Sequence, residues 1–98
     1  MASLLEPEDF EPHVGTAFRL SDGPEPTTLE LLAVERSPRQ AEHQRHPFSL
    51  LFAGAPGVVH EQRTYRLEHD AMGALDVFLS PKAPLPGDPR VRYEAVFG

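Results

Sequence analysis

The residues of this chain best suited to chemistry are a glutamate, a histidine and an aspartate in a row: Glu68, His69 and Asp70. They could form part of a catalytic or metal site, or simply the polar end of a β-hairpin. Neighbouring side chains in a strand point to opposite faces, so Glu68 and Asp70 share one side and His69 faces the other. A site that used all three would need the strand to break here. We predict instead that Asp70 caps the following turn and that His69 lies at the rim of the core.

Histidine is the second candidate, because imidazole is the commonest metal ligand in proteins. His43, His46 and His60 are clustered along the sequence, and His13 and His69 stand further away. A structural zinc site needs four converging ligands at a recognisable spacing. The chain has no cysteine, and its histidine spacing is irregular. We therefore predict solvated loop histidines, with no metal site and no cofactor.

Other catalytic signatures are weak. None of the five serines has the flanking glycines of a nucleophile elbow. The segment AGAPG lacks the lysine and the following helix of a phosphate cradle. Pairs of carboxylates such as Asp70 and Asp76 need a pocket to act as acid and base, and a compact sheet domain of this length has little volume for one. We expect no catalytic residues and a protein that is not an enzyme.

Composition limits the class of protein. Ninety-eight residues, 40% hydrophobic and 24% charged, fit one small globular domain. The net charge is −6, and residues 1–35 carry eight acidic side chains against one basic, so nucleic acid is a poor partner. No apolar run has the length of a membrane span, and the acidic start does not resemble a signal peptide. We expect synthesis in the cytoplasm and no membrane association, with export by a specialised machine left open.

Hydrophobic periodicity predicts the elements that position these residues. Residues 1–15 fit a short helical lead-in, with Pro7 at its start, Gly15 at its end, and Leu4, Phe10 and Val14 as its buried contacts. From residue 16 the period changes to two, and eleven prolines divide the chain into short segments. The predicted strands are TAFRL, TLELLAVE, FSLLFAG, QRTYRLEH, ALDVFLS and RVRYEAVF.

These segments predict an all-β fold of about six antiparallel strands, as a small barrel or sandwich, in a single domain over 1–98. TLELLAVE carries apolar residues on both phases, which predicts either a bulge near Leu31–Leu32 or cover on both faces. The apolar phases of the other strands predict one shared core, formed by Phe48, Phe52, Leu67, Val77, Tyr93 and Phe97.

Three apolar residues lie on the opposite phases, where solvent is expected: Leu51, Phe78 and Val96. If their strands are neighbours, they form a patch worth burying against a partner or a second copy. The alternative is that the N-terminal helix covers them through Leu4, Leu5 and Phe10, because so short a helix must pack somewhere to be stable.

Four blocks of the sequence also carry a family resemblance: FEPHVGTAFRL, PFSLLFAG, YRLEHDAMGALDVFLSP and the terminal YEAVFG. Together they resemble an uncharacterised bacterial family, domain-of-unknown-function family 6916, which usually ends in asparagine where Gly98 stands. The resemblance covers nearly the whole chain and implies no catalytic residues. Members of that family are often encoded beside proteins with a phage tail-collar domain. The resemblance therefore implies an accessory of a tail-like or fibre-like assembly.

We expect a non-enzymatic structural or assembly module that acts through protein–protein contacts, with tail-collar-type or fibre proteins, or a second copy, as partner. A small-ligand or glycan-binding β-domain is the alternative, and it would show exposed aromatic side chains beside a groove. A hydrolase is a third class, and it would bring His43, His46 and His60 together with a carboxylate.

Overall fold

The computed structural model describes residues 5–21, 27–36 and 48–97. A one-turn helix, α1 (Pro7–Phe10), continues into a 3-10 turn (Glu11–His13). Six strands follow: β1 (Ala17–Leu20), β2 (Thr27–Arg36), β3 (Phe48–Gly54), β4 (Arg63–His69), β5 (Gly73–Lys82) and β6 (Val91–Phe97). The predicted all-β class with a short N-terminal helix is confirmed.

The six strands form a closed antiparallel barrel in the order β1-β2-β3-β6-β5-β4. Closure depends on β1, which pairs with β2 on one side and with β4 on the other. The ladder to β4 is short, with Arg19 opposite Glu68 and Leu20 opposite Leu67. Of the two architectures that the sequence allows, the barrel is therefore the one that forms.

Strand β2 is long because it serves two neighbours in turn. Its first residues pair with β1 and its later residues with β3. The register with β3 shifts between Leu31 and Ala33, which leaves Leu32 as the extra residue. Of the two alternatives that the apolar phases of TLELLAVE predict, the bulge is therefore the one that forms, and it lets one strand bend between two partners.

Strand β5 runs further than its sequence predicts. It continues through Pro81 and Lys82, and Pro81 lies opposite Tyr93 of β6. The prediction ended this strand at Ser80 because proline cannot donate to a ladder. A proline is tolerated in a strand where no ladder donor is required.

Side chains fill the interior of the barrel, as expected for a closed sheet with few strands. Of the six predicted core residues, Phe97 is partly buried against the same cluster as the other five, which are buried: Phe48, Phe52, Leu67, Val77 and Tyr93. The rings of Phe52 and Phe18 meet edge to face with their centroids 5.5 Å apart, a favoured arrangement for aromatic pairs.

Helix α1 closes one end of the barrel. Pro7 is its first residue, where the missing N–H costs no hydrogen bond. The ring of Phe10 is fully buried, with its centroid 6.1 Å from that of Phe48 and 5.7 Å from that of Phe97. The helix therefore packs its aromatic residue against inward-facing side chains of β3 and β6.

The predicted contacts of this lead-in are only partly right. Leu5 is partly buried against the core, and Leu4 lies outside the described residues. Val14 is 43% exposed, so its predicted burial is wrong. The chain leaves the 3-10 turn before Val14 and reverses at Gly15, whose φ of +89° favours glycine.

Candidate functional site

The Glu68-His69-Asp70 triplet lies where β4 ends and the chain turns into β5. Burial alternates along it as predicted: His69 is buried, Glu68 is partly exposed and Asp70 is exposed. The three side chains therefore do not form one site.

The turn after β4 is capped by His69. Its Nδ1 accepts hydrogen bonds from the backbone N–H groups of Ala71 and Met72, at 3.0 and 3.1 Å. The Asp70 carboxylate instead accepts a hydrogen bond from the Arg19 guanidinium at 3.0 Å. The prediction that Asp70 caps the turn is wrong, because barrel closure brings β1 beside β4 and offers that carboxylate a cation.

The hydrogen-bond partner of the second ring nitrogen, Nε2, identifies the protonation state of His69. Nε2 lies 2.9 Å from the hydroxyl oxygen of Thr16. That hydroxyl donates its only proton to the carbonyl of His13 at 2.6 Å, so it accepts from Nε2. Since Nδ1 accepts twice, the ring is neutral and carries its proton on Nε2. Burial, followed by the charge of His13, lowers the pKa of His69. Asp70 opposes this shift by a smaller amount, and Arg19 adds slightly to it.

Two rings enclose this imidazole. The centroid of His13 lies 4.6 Å away, in an edge-on arrangement, and that of Phe18 lies 4.4 Å away. His69 thus connects β4, the N-terminal segment and the core. Its contacts are those of a structural residue at the rim of the core, as the alternation predicts.

His60 occupies the opposite end of the barrel, beside the start of β4. It is 6% exposed, so the prediction of a solvated loop histidine is wrong here. Its backbone N–H donates to the hydroxyl of Tyr93 at 3.0 Å, and its Nε2 lies 3.0 Å from Oγ1 of Thr27. Polar partners at the barrel end make this burial possible, and the sequence does not reveal them.

The remaining histidine predictions concern His43 and His46, which lie outside the described residues. Within the parts of the chain that the structure describes, no three His, Asp or Glu side chains are grouped so that they could hold a metal ion.

A surface groove of about 420 Å³ opens near the His60 end of the barrel. Its lining includes Gly54, Glu30 and Arg90, and Arg90 binds Glu30 at 2.8 Å and Asp88 at 3.0 Å. These partners raise the pKa of Arg90, Asp88 contributing most. A Cβ at Gly54 would lie 2.8 Å from Cδ2 of Leu29, so tight packing beneath the groove favours glycine there.

The predicted interaction residues lie together on the outer face of β3, β6 and β5, which are consecutive strands of the barrel. Leu51 lies opposite Glu94, and Glu94 lies opposite Ser80 on its other side. Phe78 and Val96 each stand two residues from the Ser80–Glu94 pair, at the same end of it. Phe78 is 50% exposed, Val96 is 71% exposed and Leu51 is partly buried. We call these three residues the outer patch.

The N-terminal helix does not cover the outer patch. Phe10, its apolar residue, packs on Phe48 and Phe97 at the barrel end, and Leu5 packs against the core. The alternative in which α1 covers the patch is therefore wrong for Leu5 and Phe10, and Leu4, the third residue expected to provide that cover, lies outside the described residues. The short helix is stabilised instead by the packing of Phe10 and Leu5 against the core at the end of the barrel.

Comparison with known proteins supplies a family. In the described residues, no helix has the length and apolar character needed to cross a bilayer. No curated protein and no solved structure matches the chain. A family described as a domain of unknown function (DUF6916) matches residues 5–97. The chain therefore belongs to this family of domains of unknown function, as the four sequence blocks predict.

Proposed function

We propose that this protein is a non-enzymatic structural or assembly module that binds another protein through the outer patch. The carrying observation is that Phe78 and Val96 are 50% and 71% exposed on neighbouring strands, with Leu51 beside them. Exposed apolar residues scattered singly need no explanation. Three on consecutive strands form a patch that association would remove from water.

The surroundings of the patch fit the anatomy of an interface. Ser49 lies opposite Val96 and Ser80 lies opposite Glu94, so polar side chains alternate with the apolar ones. Lys82 and Glu94 form an ion pair at 3.2 Å along the same face. An apolar centre with a polar rim is typical of protein–protein interfaces, and aromatic residues such as Phe78 are enriched there.

The described titratable groups support a role without catalysis. His69 and His60 are both buried: the His69 ring is hydrogen-bonded to Thr16 and to two backbone N–H groups, and the His60 ring is hydrogen-bonded to Thr27. The barrel interior is packed with apolar side chains. These features favour a protein that works through its surface.

The family resemblance also suggests which protein the outer patch binds. The resemblance suggests a bacterial protein whose partner is a tail-collar-type or fibre protein, or a second copy, in a tail-like or fibre-like assembly. The net charge of −6 disfavours nucleic acid as a partner.

The groove beside Gly54 favours a second candidate, a small-ligand or glycan-binding domain. Its volume of about 420 Å³ lies within the range of small-molecule sites. Arg90 and Glu30 could hydrogen-bond a polar ligand, although no aromatic side chain is among the described residues that line the groove. Calorimetric titration with a glycan panel tests this candidate, with Arg90→Gln as the variant that should lose any binding.

The test of the assembly function begins with mass in solution, measured by analytical ultracentrifugation over a range of concentrations. Phe78→Ser and Val96→Thr alter the outer patch. Val59→Thr is the matched control, because Val59 is 64% exposed in a loop outside the patch. Affinity capture from the native cell, compared between the wild type and Phe78→Ser, extends the test to other partners.

We expect the two patch variants to stay folded, with melting temperatures no more than about 8 °C below that of the wild type, and to lose an oligomer or a captured complex that Val59→Thr retains. Two results would contradict the proposal. One is that the patch variants melt early as monomers. The other is a monomeric wild type that captures nothing beyond what Phe78→Ser captures.

A further inference from the structure

In the described residues, the N-terminal segment is held to the barrel by backbone hydrogen bonds and by three kinds of side-chain contact. The Gly15 N–H donates to the Leu31 carbonyl at 2.7 Å, and the Leu31 N–H donates to the Thr16 carbonyl at 3.1 Å. The ring of Phe10 packs in the barrel end. Arg36 binds Glu8 at 3.1 Å and Glu11 at 2.6 Å. The third contact is the edge-on packing of His13 on His69, with Thr16 bridging the two residues. Only the third depends on a group that titrates near neutral pH.

The hydrogen bonds of His69 leave no position for a second proton. Nδ1 is the acceptor for the N–H groups of Ala71 and Met72. A proton on Nδ1 would turn this acceptor into a donor facing two donors. Protonation of this ring in place therefore breaks both bonds that cap the β4–β5 turn.

The charges around the ring oppose its protonation as well. His13 faces it from the 3-10 turn, Arg19 from β1 and Asp70 from the β4–β5 turn, while Thr16 and Phe18 are neutral. Asp70 is the one group that favours the cation. Its side chain is 89% exposed and already pairs with Arg19, so solvent screens its effect.

We propose that the His13–His69 contact is an acid-sensitive latch, which opens the β4–β5 turn and the 3-10 turn together while the barrel stays folded. This inference goes beyond the proposed function and does not depend on the outer patch. The 3-10 turn opens at its His13 end. Phe10 and the Arg36 ion pairs hold the segment as far as Glu11, and the backbone hydrogen bonds of Gly15 and Thr16 with Leu31 hold it to β2 after the turn. The pKa of Glu8 is lowered, first by a backbone hydrogen bond and then by Arg36, so its ion pair persists into more acidic solution.

The direction of the effect follows from linkage. The closed latch holds the pKa of His69 below its ordinary value of 6.5, so the open form binds a proton more readily. The latch is fully closed above that value. As pH falls, the opening constant rises by up to about tenfold per pH unit until His69 also titrates in the closed form, and then levels off.

Amide hydrogen exchange followed by NMR between about pH 7.5 and 5 tests the latch, with rates corrected for intrinsic exchange. The reporting amides are those of Ala71 and Met72. The reference amides are those of Leu50 and Ala95, which lie opposite each other in the β3–β6 ladder. We expect the reporting amides to lose protection about tenfold or more at the acidic end while the reference amides keep theirs.

His69→Asn is the decisive variant, because the asparagine carbonyl oxygen can accept where Nδ1 does and does not titrate. Its turn should stay protected at acidic pH. His60→Asn is the matched control, because His60 is also buried but lies at the opposite end of the barrel, so its replacement should leave the acid response unchanged. His13→Gln removes a neighbouring cation, so the NMR titration midpoint of His69 should rise.

The latch is refuted if the reporting amides keep their protection, if the reference amides lose theirs in step, or if His69→Asn responds to acid like the wild type. Should His69→Asn fail to fold, His13→Gln decides the matter. An unchanged titration midpoint of His69 in that variant would overturn the proposal.

Discussion

Replacing Phe52 with alanine would remove a ring from the centre of the barrel. Phe52 is fully buried, meets Phe18 edge to face, and lies between Leu31 and Tyr93 on the neighbouring strands. Ladders on both sides of β3 limit how far the strands can close around the void. We therefore expect a loss of roughly 3–5 kcal/mol in the free energy of unfolding.

That loss is a large share of the total stability of a small domain, which is about 5–15 kcal/mol. At about 4 °C or more per kcal/mol, the melting temperature should fall by at least about 12 °C. Urea denaturation followed by circular dichroism measures the difference. Phe78→Ala is the matched control, because it deletes the same ring from a half-exposed position and should cost only about 1 kcal/mol. Equal losses in the two variants would refute the assignment of inner and outer faces.

Three further results are expected. Gly54→Ala should lower stability by about 1–3 kcal/mol in urea denaturation, because the added Cβ would lie 2.8 Å from Leu29 and 3.3 Å from Tyr93; an unchanged midpoint would show that both side chains yield freely. His69→Ala should cost on the order of 1–3 kcal/mol through two unpaired backbone donors, whereas Asp70→Ala should leave the melting temperature nearly unchanged because its ion pair is exposed; the reverse ranking would restore Asp70 as the cap. The free energy of unfolding should be fully retained above pH 6.5 and fall below it, since the pKa of His69 is lowered by folding, and His69→Asn should lack this part of the decline.

The sequence by itself determined which face is buried in the strands other than β2. Side chains alternate along a strand, so Phe52 and Val77 could be assigned to the core, and Phe78 and Val96 to the outer face, without any knowledge of strand order. The two apolar phases of β2 predicted either a bulge or cover on both faces, and the register in the barrel shows the bulge, with Leu32 as the extra residue.

Only the tertiary structure decided which side chains that are distant in the sequence contact each other. Barrel closure brings Arg19 beside Asp70 and Thr16 beside His69, pairs 51 and 53 residues apart in sequence. Because Asp70 pairs with Arg19, the β4–β5 turn is capped by His69 and not by the aspartate. No pattern of neighbouring residues in the sequence indicates this exchange of roles. Periodicity is a property of neighbouring residues, whereas a hydrogen-bond partner depends on strand order and register. These are set by how the whole chain buries its apolar surface.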